Sequence, residues 1–346
     1  MLLRIGKLTC LRRLCTFVVG KDNGSGLCEL QSLVHLGGTL KISRLENVKD
    51  AGDAKIAEIH SKRSLKTLLL EWSSRVGSPR VSEIETSLLD MSKPHQNLND
   101  LVIIRYGGTE FPICGAATVS KASFNKWNDW SKACGFSVPF PSLETCFVHM
   151  QEWENWIPRR PGQEAEGFPS LQELCLVSCT KLQGTLPKSV PSLEKLVIKK
   201  WEQLLVLVPS LPTVCKLEIR GCKKVVWGNT IDRSSVFLAG LFKQELPKLE
   251  LLEISDVEEL TYLWQNESGL QQDISSLHQQ RLDHFPCRLR YLELSGCQRL
   301  VKLPKTLLNL GSITELQIIN GESLLCFPEV ALPSQLRTIR IMHAVR

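Results

Sequence analysis

Apolar residues return along this chain in one short phrase, in which the second apolar position follows the first after three residues and the third follows after two more. The clearest copies are LQELCL from Leu171, LEKLVI from Leu193, VCKLEI from Val214, LELLEI from Leu249, LRYLEL from Leu289, ITELQI from Ile313 and LRTIRI from Leu336. A single residue separates the last two apolar positions, which is the alternation of a short strand with one buried face. In the second copy, Leu196 and Ile198 are therefore predicted to be buried. Lys195, Val197 and Lys199 are predicted to point to the opposite face.

The copies recur at the spacing of leucine-rich repeats. The steps from Leu171 to Leu193 and Val214 are 22 and 21 residues, and those from Leu289 to Ile313 and Leu336 are 24 and 23. These lengths lie in the range of about 20–29 residues that is typical of such repeats. The sequence therefore predicts an α/β fold: a right-handed leucine-rich-repeat solenoid, or horseshoe, of about eleven to thirteen repeats. Parallel β-strands would form its concave face, and its convex side would be irregular or helical.

A proline signature precedes several of the predicted strands. The phrases Phe140-Pro141-Ser142-Leu143, Phe168-Pro169-Ser170-Leu171 and Val190-Pro191-Ser192-Leu193 share one form. Because proline lacks an N–H group, it suits the beginning of a strand and not its middle. The signature therefore supports strands that begin just after each of these prolines.

The regularity of the repeats divides the chain into three parts. Residues 1–112 hold irregular repeats, residues 113–139 a degenerate repeat or insertion, and residues 140–346 regular repeats with polar insertions near 227–245 and 264–285. Helical spacing of apolar residues predicts helices over Ala51–Ser64 and Val81–Met91. Neither end shows the polar capping repeat that solenoids need. The sequence is therefore expected to be a fragment of a longer gene product.

Composition and charge exclude several classes of function. The net charge of +6 and the pI of about 8.6 are mildly basic, and no basic segment is interleaved with aromatic residues, so nucleic-acid binding is not expected. No apolar run is long enough to span a membrane. Arg4, Lys7, Arg12 and Arg13 interrupt the first residues, which do not resemble a signal peptide.

The 13 cysteines are an odd number and include no CxxC motif. Cys179, Cys222 and Cys297 occupy the same repeat position and are predicted to be small buried residues. Cys175 is predicted to face solvent while Cys179 faces the core, so the two are not expected to share a metal ion. Reduced thiols in a chain without a signal peptide favour a cytoplasmic or nuclear location.

No catalytic or cofactor-binding motif is present. The glycine-rich segment 20–26 lacks the GK[ST] ending of a phosphate loop, and HExxH, GxSxG and GxGxxG do not occur. His278 and His284 lie in or near a polar, glutamine-rich run and are interpreted as solvated loop residues. We therefore expect a protein that is not an enzyme and that carries no cofactor and no metal.

The outward-facing strand positions are the candidates for partner binding, because they line the concave face of a solenoid. The candidate residues are Lys195, Val197, Lys199, Lys200, Lys216, Glu218, Arg220, Glu253, Asp256, Tyr291 and Glu293. Two repeats are basic and the next is acidic, which predicts a basic stripe beside an acidic one that steers a charged protein partner. The alternative is that these charges serve only solubility.

Four large side chains at similar positions are candidates for contact hot spots: Trp72, Phe147, Tyr291 and Met342. For Trp72, packing inside the fold is an equally good interpretation.

Three long blocks of the chain resemble a known family. Leu8–Trp72, Leu88–Pro112 and Pro139–Pro158 are similar to the leucine-rich-repeat region of plant coiled-coil-type NLR disease-resistance proteins. The resemblance implies an intracellular immune receptor whose repeats sense a pathogen effector or a guarded host protein. It also implies that the repeats restrain a nucleotide-binding switch domain of the same receptor.

The chain departs from this family in two respects. Residues 113–138 do not follow the family pattern, and no residue here matches the phosphate loop of the nucleotide-binding domain. Nucleotide binding therefore does not carry over to this chain. A stand-alone repeat protein is the alternative. A secreted enzyme inhibitor would need a signal peptide and paired cysteines, a ubiquitin-ligase substrate adaptor would need an F-box, and a cryptic enzyme site in residues 226–248 has no motif to support it.

Overall fold

The structure is a computed structural model in which two compact units can be described. It describes residues 4–22, 24–73, 82–92, 94–108, 140–153, 168–182, 184–185, 190–201, 203–207, 211–226, 246–258, 260, 288–300, 303, 311–321 and 333–342. The first unit comprises Met1–Gln183 and Ser189–Ser192, and the second comprises Gly184–Lys188 and Leu193–Arg346. The degenerate segment predicted at 113–139 and the polar insertions predicted near 227–245 and 264–285 lie outside the described residues.

The first unit is built on parallel strands that pair in chain order. They are β1 (Thr16–Val18), β2 (Gly37–Ser43), β3 (Ser64–Glu71), β4 (Asp100–Ile104), β5 (Thr145–His149) and β6 (Glu173–Val177). The described residues of this unit also form two α-helices, α1 (Gly52–Ile56) and α2 (Ser82–Met91), and short 3-10 helices at Ile5–Lys7, Leu27–Leu30, Leu45–Asn47 and Ile59–Ser61. None of the helices in the described ranges is long and apolar enough to cross a membrane.

Of the two predicted helices, α2 is confirmed and the single helix over Ala51–Ser64 is wrong. The backbone of Glu58 is left-handed, with φ 49°, and it separates α1 from the following 3-10 helix. Ala54, Ala57 and Ile59 are all buried. Because residues five apart lie on different faces of a continuous α-helix, one helix could not bury both Ala54 and Ile59 against the same core. The left-handed turn brings Ile59 inward, and Ile56 stays exposed.

The described residues of the second unit form two sheets of parallel strands. In one sheet, β7 (Gly184–Thr185) pairs with β9 (Gln203–Leu207), which pairs with β11 (Lys224–Val226). The other sheet contains β8 (Lys195–Lys199), β10 (Lys216–Arg220), β12 (Leu251–Ser255), β13 (Tyr291–Ser295), β14 (Glu315–Ile319) and β15 (Thr338–Met342), paired in that order. Both units therefore have the parallel, sequential strands of a leucine-rich-repeat solenoid, and the predicted fold class is confirmed.

The apolar phrase sets the register of the second unit's larger sheet. The second residue of each strand pairs with the second residue of the next, and the fourth with the fourth. Two continuous core rows result. They contain Leu196, Leu217, Leu252, Leu292 and Leu316, and Ile198, Ile219, Ile254, Leu294 and Ile318, all buried. The register is therefore the same for every pair of strands, even though the connections differ in length. Only this register buries all the residues of both rows.

One left-handed residue follows each of the strands β8, β10, β12, β13 and β14. Lys200, Gly221, Asp256, Gly296 and Asn320 have φ values between 53° and 62°. Each of their N–H groups donates to the last carbonyl of the next strand, for example from Gly221 to Ser255 at 2.8 Å. Glycine, asparagine and aspartate adopt this conformation more readily than other residues, so lysine is the unusual choice. The residue that follows turns into the core in four of these repeats, as Trp201, Cys222, Val257 and Cys297.

The three cysteines predicted to be buried are buried. Burial raises the pKa of the Cys179 thiol to about 12 and that of Cys222 and of Cys297 to about 11. The thiolate is the reactive form, so these groups should be inert in the folded protein. We expect iodoacetamide at pH 8 to spare all three and to modify the exposed Cys10, Cys15 and Cys28.

Peptide mass spectrometry before and after unfolding in urea checks this expectation. All six thiols should react in urea. Modification of Cys179, Cys222 or Cys297 in the native protein at the rate of the exposed thiols would contradict it.

Candidate functional site

The outward face of β8, β10, β12, β13 and β14 carries nine of the eleven residues predicted for partner binding. The strand pairing arranges its side chains in three rows. The first row is Lys195, Lys216, Leu251, Tyr291 and Glu315; the middle row is Val197, Glu218, Glu253, Glu293 and Gln317; the last row is Lys199, Arg220, Ser255, Ser295 and Ile319. The remaining two residues, Lys200 and Asp256, occupy the left-handed positions after β8 and β12.

Ion pairs join the three rows into what we call the charge cluster, which consists of Lys195, Lys199, Lys216, Glu218, Arg220 and Glu253. Lys216 Nζ lies 3.0 Å from Glu218 Oε1 and 3.6 Å from Glu253 Oε1. The guanidinium of Arg220 lies 3.6 Å from Glu218 Oε2 and donates a close hydrogen bond to Glu253 Oε2. Lys195 and Lys199 approach Glu218 at 3.9 and 4.0 Å. Four cations therefore surround two carboxylates.

Both carboxylates of the charge cluster are largely buried, since Glu218 is 7% and Glu253 is 8% exposed. Burial alone would raise the pKa of Glu218. The hydrogen bond and charge of Lys216, with the charges of Arg220 and Lys195, outweigh burial and lower the pKa of Glu218 below its ordinary value. Burial likewise opposes the charged form of Lys216, but Glu218 and Glu253 outweigh it and raise the pKa of Lys216. Glu218 and Lys216 therefore both stay ionised at neutral pH.

The structure corrects the predicted arrangement of charge. The sequence indicated a basic stripe on two repeats beside an acidic one. Instead, the middle-row glutamates lie between cations of the first and last rows, and Arg220 on β10 pairs with Glu253 on β12. Much of the positive charge is thus neutralised within the sheet. Lys199 and Lys200 lie at the edge of the charge cluster: Lys199 makes the 4.0 Å contact with Glu218, the longest in the cluster, and Lys200 is exposed.

Val197 also differs from its prediction. It lies in the middle row, as expected, but is only 2% exposed. Its register partner is Glu218, and the ammonium groups of Lys195 and Lys199 both converge on that carboxylate. The two lysine side chains therefore extend past Val197 on either side and exclude water from it.

Tyr291 and Glu293 form a second polar contact on this face. The Tyr291 hydroxyl donates a hydrogen bond of 2.5 Å to Glu293 Oε2. Burial, this hydrogen bond and the nearby charges of Glu253 and Glu315 raise the pKa of Tyr291 well above its ordinary value. The phenol therefore stays neutral and acts as a donor. Tyr291 is half-buried, which leaves part of its ring accessible to a partner.

The other large side chains fall into different environments. Trp72 is fully buried, and its ring meets Tyr106 edge to face with centroids 5.3 Å apart. It is therefore a core residue and not a contact residue. Met342 on β15 is exposed, whereas Phe147 on β5 is half-buried on the outward face of the first unit.

Sequence reasoning missed the neighbours of Phe147. The strand pairing places Leu69, Val102, Phe147 and Cys175 in one outward row across β3, β4, β5 and β6. Cys175, predicted to face solvent, is buried because it pairs with Phe147 and lies in this apolar row. The signal was available in the sequence. In LKTLLL, LNDLVI, LETCFV and LQELCL, the residue between the last two anchors is apolar or a cysteine where charged residues stand in most later copies.

Among the described residues, no group of three or more histidine, cysteine, aspartate or glutamate side chains could hold a metal ion. The arrangement that the structure does show is a set of ordered side-chain rows on open sheet faces. Such rows can present charge, hydrogen-bonding groups and apolar area to another macromolecule.

Comparison with known proteins identifies related chains. A family described as R13L1/DRL21 LRRs matches residues 27–127. The chain is 31% identical over 316 residues to the putative disease resistance protein RGA1 of Solanum bulbocastanum, covering 88% of this chain and 28% of that protein. It is 27% identical over 338 residues to the putative disease resistance RPP13-like protein 1 of Arabidopsis thaliana, covering 84% of this chain and 30% of that protein. The chain thus spans less than a third of the length of these relatives.

Two solved structures align with this chain over most of its length. The leucine-rich repeat domain of the type III effector XopL aligns over 94% of this chain and 76% of that chain, with a TM-score of 0.34 and 14% identity. The yeast Rad7 and Elc1 complex aligns over 97% of this chain and 81% of that chain, with a TM-score of 0.35 and 14% identity.

Proposed function

The chain is a stretch of leucine-rich repeats related to those of plant disease-resistance proteins, and on that premise we propose that it is the protein-recognition part of an intracellular plant immune receptor. Its partners would be a pathogen effector or a guarded host protein, together with a nucleotide-binding switch domain of the same receptor. It acts by binding and not by catalysis, in the cytoplasm or the nucleus. Recognition would shift the receptor from a restrained to an active state, because a partner that binds one state better changes the balance between them.

The observation that carries this proposal is the outward face of the second unit. Parallel strands there present ordered rows of charged and aromatic side chains, although a sheet needs only its inward rows to fold. Ion pairs link the six side chains of the charge cluster to one another, so a partner meets a surface that is preorganised at this place. The two accessible cations at its edge, Lys199 and Lys200, can add attraction for an acidic partner.

Charge reversal at this edge tests the proposal. The probe is a panel of purified secreted effector proteins from plant pathogens, with binding to the 346-residue chain measured by biolayer interferometry. At least one effector should bind. The double variant Lys199→Glu/Lys200→Glu should change its affinity by about tenfold, which is about 1.4 kcal/mol.

A matched control distinguishes an effect of this surface from an effect of net charge alone. Arg288→Glu/Arg299→Glu changes the net charge by the same amount at two exposed positions outside the three outward rows. It should bind like the wild type. Unchanged affinity in the Lys199/Lys200 variant, with an unchanged circular dichroism spectrum, would remove this face from the binding surface. Failure of every effector to bind would contradict effector recognition by this chain.

A further inference from the structure

The first unit carries an outward apolar row that the folding of its own sheet does not require. We call Leu69, Val102, Phe147 and Cys175 the apolar stripe; they are register partners on four adjacent strands. Ile104 on β4 and Val177 on β6 lie beside it, two residues further along their strands. The inward rows of the same strands are already filled by buried residues such as Leu68, Leu101 and Leu174.

The apolar stripe remains partly open to water. Leu69, Val102 and Phe147 are half-buried, as are Ile104 and Val177. Leaving apolar surface in water costs roughly 25 cal/mol per Å². Adjacent strands each expose an apolar side chain here, and these side chains add nothing to the packing of the core. Contiguous apolar area of this kind on an otherwise polar surface is typical of an interaction site.

Acidic residues border the apolar stripe on one side. Asp100 and Glu173 occupy the outward positions two residues before Val102 and Cys175, and both are partly exposed. Asp100 accepts a hydrogen bond of 2.8 Å from the Thr67 hydroxyl, which fixes its carboxylate at this border. The described strands β4, β5 and β6 carry no lysine or arginine. The border is therefore complementary to positive charge.

Two cations beside the stripe, on β2 and just after β4, are paired with Glu71. Lys41 on β2 lies 2.8 Å from Glu71, and Arg105, just after β4, lies 3.5 Å from the same carboxylate. The two cations and one carboxylate leave a net charge of +1 at this end of the stripe, and both cations pair with Glu71 and not with Asp100 or Glu173. A partner with basic residues beside its apolar anchors is thus favoured over one with acidic residues.

The spacing of the apolar stripe fits a helix better than an extended segment. Adjacent strands lie about 4.8 Å apart, so the four side chains span about 14 Å. Neighbouring side chains on one face of a helix are about 5–6 Å apart. Side chains on one face of an extended segment recur only every 6.6–6.8 Å or so, and would fall out of step with the strands.

From these observations we propose that the apolar stripe docks an amphipathic helix of a partner protein, with apolar anchors on the stripe and basic residues against Asp100 and Glu173. The proposal rests on the function proposed above, since it names a further recognition surface and the partner chemistry that suits it. Helix recognition by an apolar groove with a charged border is an established mode of peptide binding.

Two synthetic peptides test the proposal with the full chain. Both are fluorescein-labelled 18-residue helices with leucine at positions i, i+3, i+4 and i+7; one carries lysine along the flank of the leucine face and the other glutamate. Fluorescence anisotropy should show at least tenfold tighter binding of the lysine peptide. Phe147→Ser should weaken that binding at least tenfold, and Asp100→Asn should weaken it by a smaller factor.

The matched control is Ile319→Ser, which also replaces a half-buried apolar residue on an outward sheet face, but in the second unit. It should bind the lysine peptide like the wild type, and circular dichroism should show that all variants fold. Three results would overturn the proposal: equal affinity for both peptides, no binding of either, or a loss caused by Ile319→Ser and not by Phe147→Ser. Concentration-dependent dimerisation abolished by Phe147→Ser would instead assign the stripe to a second copy of the chain.

The two proposals can fail separately. An effector that still binds the Phe147→Ser variant while neither peptide binds the wild type would retain the proposed function and remove the helix-docking stripe. Peptide binding by the stripe without any effector binding would support the helix-docking stripe and contradict the proposed function.

Discussion

Replacing Trp201 by alanine should lower the free energy of unfolding by about 3–5 kcal/mol, the usual cost of deleting a large aromatic side chain from a core. Trp201 is fully buried and is among the largest buried side chains of the described chain. It follows the left-handed Lys200 and turns inward at the position that Cys222, Val257 and Cys297 hold in later repeats. It therefore fills a space that small residues fill elsewhere, and alanine would leave a cavity. Urea unfolding followed by far-ultraviolet circular dichroism measures the loss.

Trp201→Phe is the control for this variant. The indole N–H of Trp201 has no hydrogen-bond partner among the described residues, so phenylalanine removes no hydrogen bond. The smaller ring leaves only a small cavity, and we expect a loss below about 1.5 kcal/mol. If Trp201→Ala lost less than about 1 kcal/mol, or if the two variants lost equal amounts, the close packing of Trp201 would be contradicted.

The core rows could be predicted from the sequence because their cause is local. Leu196 and Ile198 are separated by one residue, so any strand through them buries both on the same face. The repeat spacing then determines that strands stack in chain order, since each repeat needs a neighbour to cover its apolar side. Helix α2 was predictable for the same reason, as Leu88 is buried at the helical spacing seen in its sequence.

The arrangement of charges could not be predicted in the same way. The contact between Arg220 and Glu253 joins residues 33 positions apart in the sequence. The apolar phrase determines the register of β10 against β12, which places Arg220 opposite Ser255, but it does not determine which outward side chains reach diagonally between strands to form ion pairs. The predictions that Val197 and Cys175 are accessible failed for a related reason. Neighbouring strands cover an outward side chain, and the sequence of a single repeat does not show which residues its neighbours place there. The apolar stripe becomes visible only when the repeats are aligned with one another.

Replacing Arg220 by glutamate should have the second-largest effect, a loss of about 2–3 kcal/mol in the free energy of unfolding at pH 7. Arg220 contacts both Glu218 and Glu253, and the variant places a third carboxylate beside two that are largely buried. Leaving a buried charge without its partner costs about 3–5 kcal/mol. The Arg220 side chain is 43% exposed, so solvent screening reduces this figure. Lys200→Glu makes the same change in net charge at an exposed position, and it should cost less than about 0.5 kcal/mol.

The pH dependence of the Arg220→Glu effect separates electrostatics from lost packing. In the wild type the pKa of Glu218 is lowered, so its stabilising contribution is present above the unfolded-state pKa of about 4.3 and is lost as the pH falls through the folded-state pKa. In the variant the adjacent carboxylates raise one another's pKa, and protonation relieves their repulsion as the pH falls. The stability difference between the two proteins should therefore shrink from pH 7 to pH 4. Urea unfolding at both pH values tests this expectation, because a difference that stays constant would mean that Arg220 acts through packing and not through its charge.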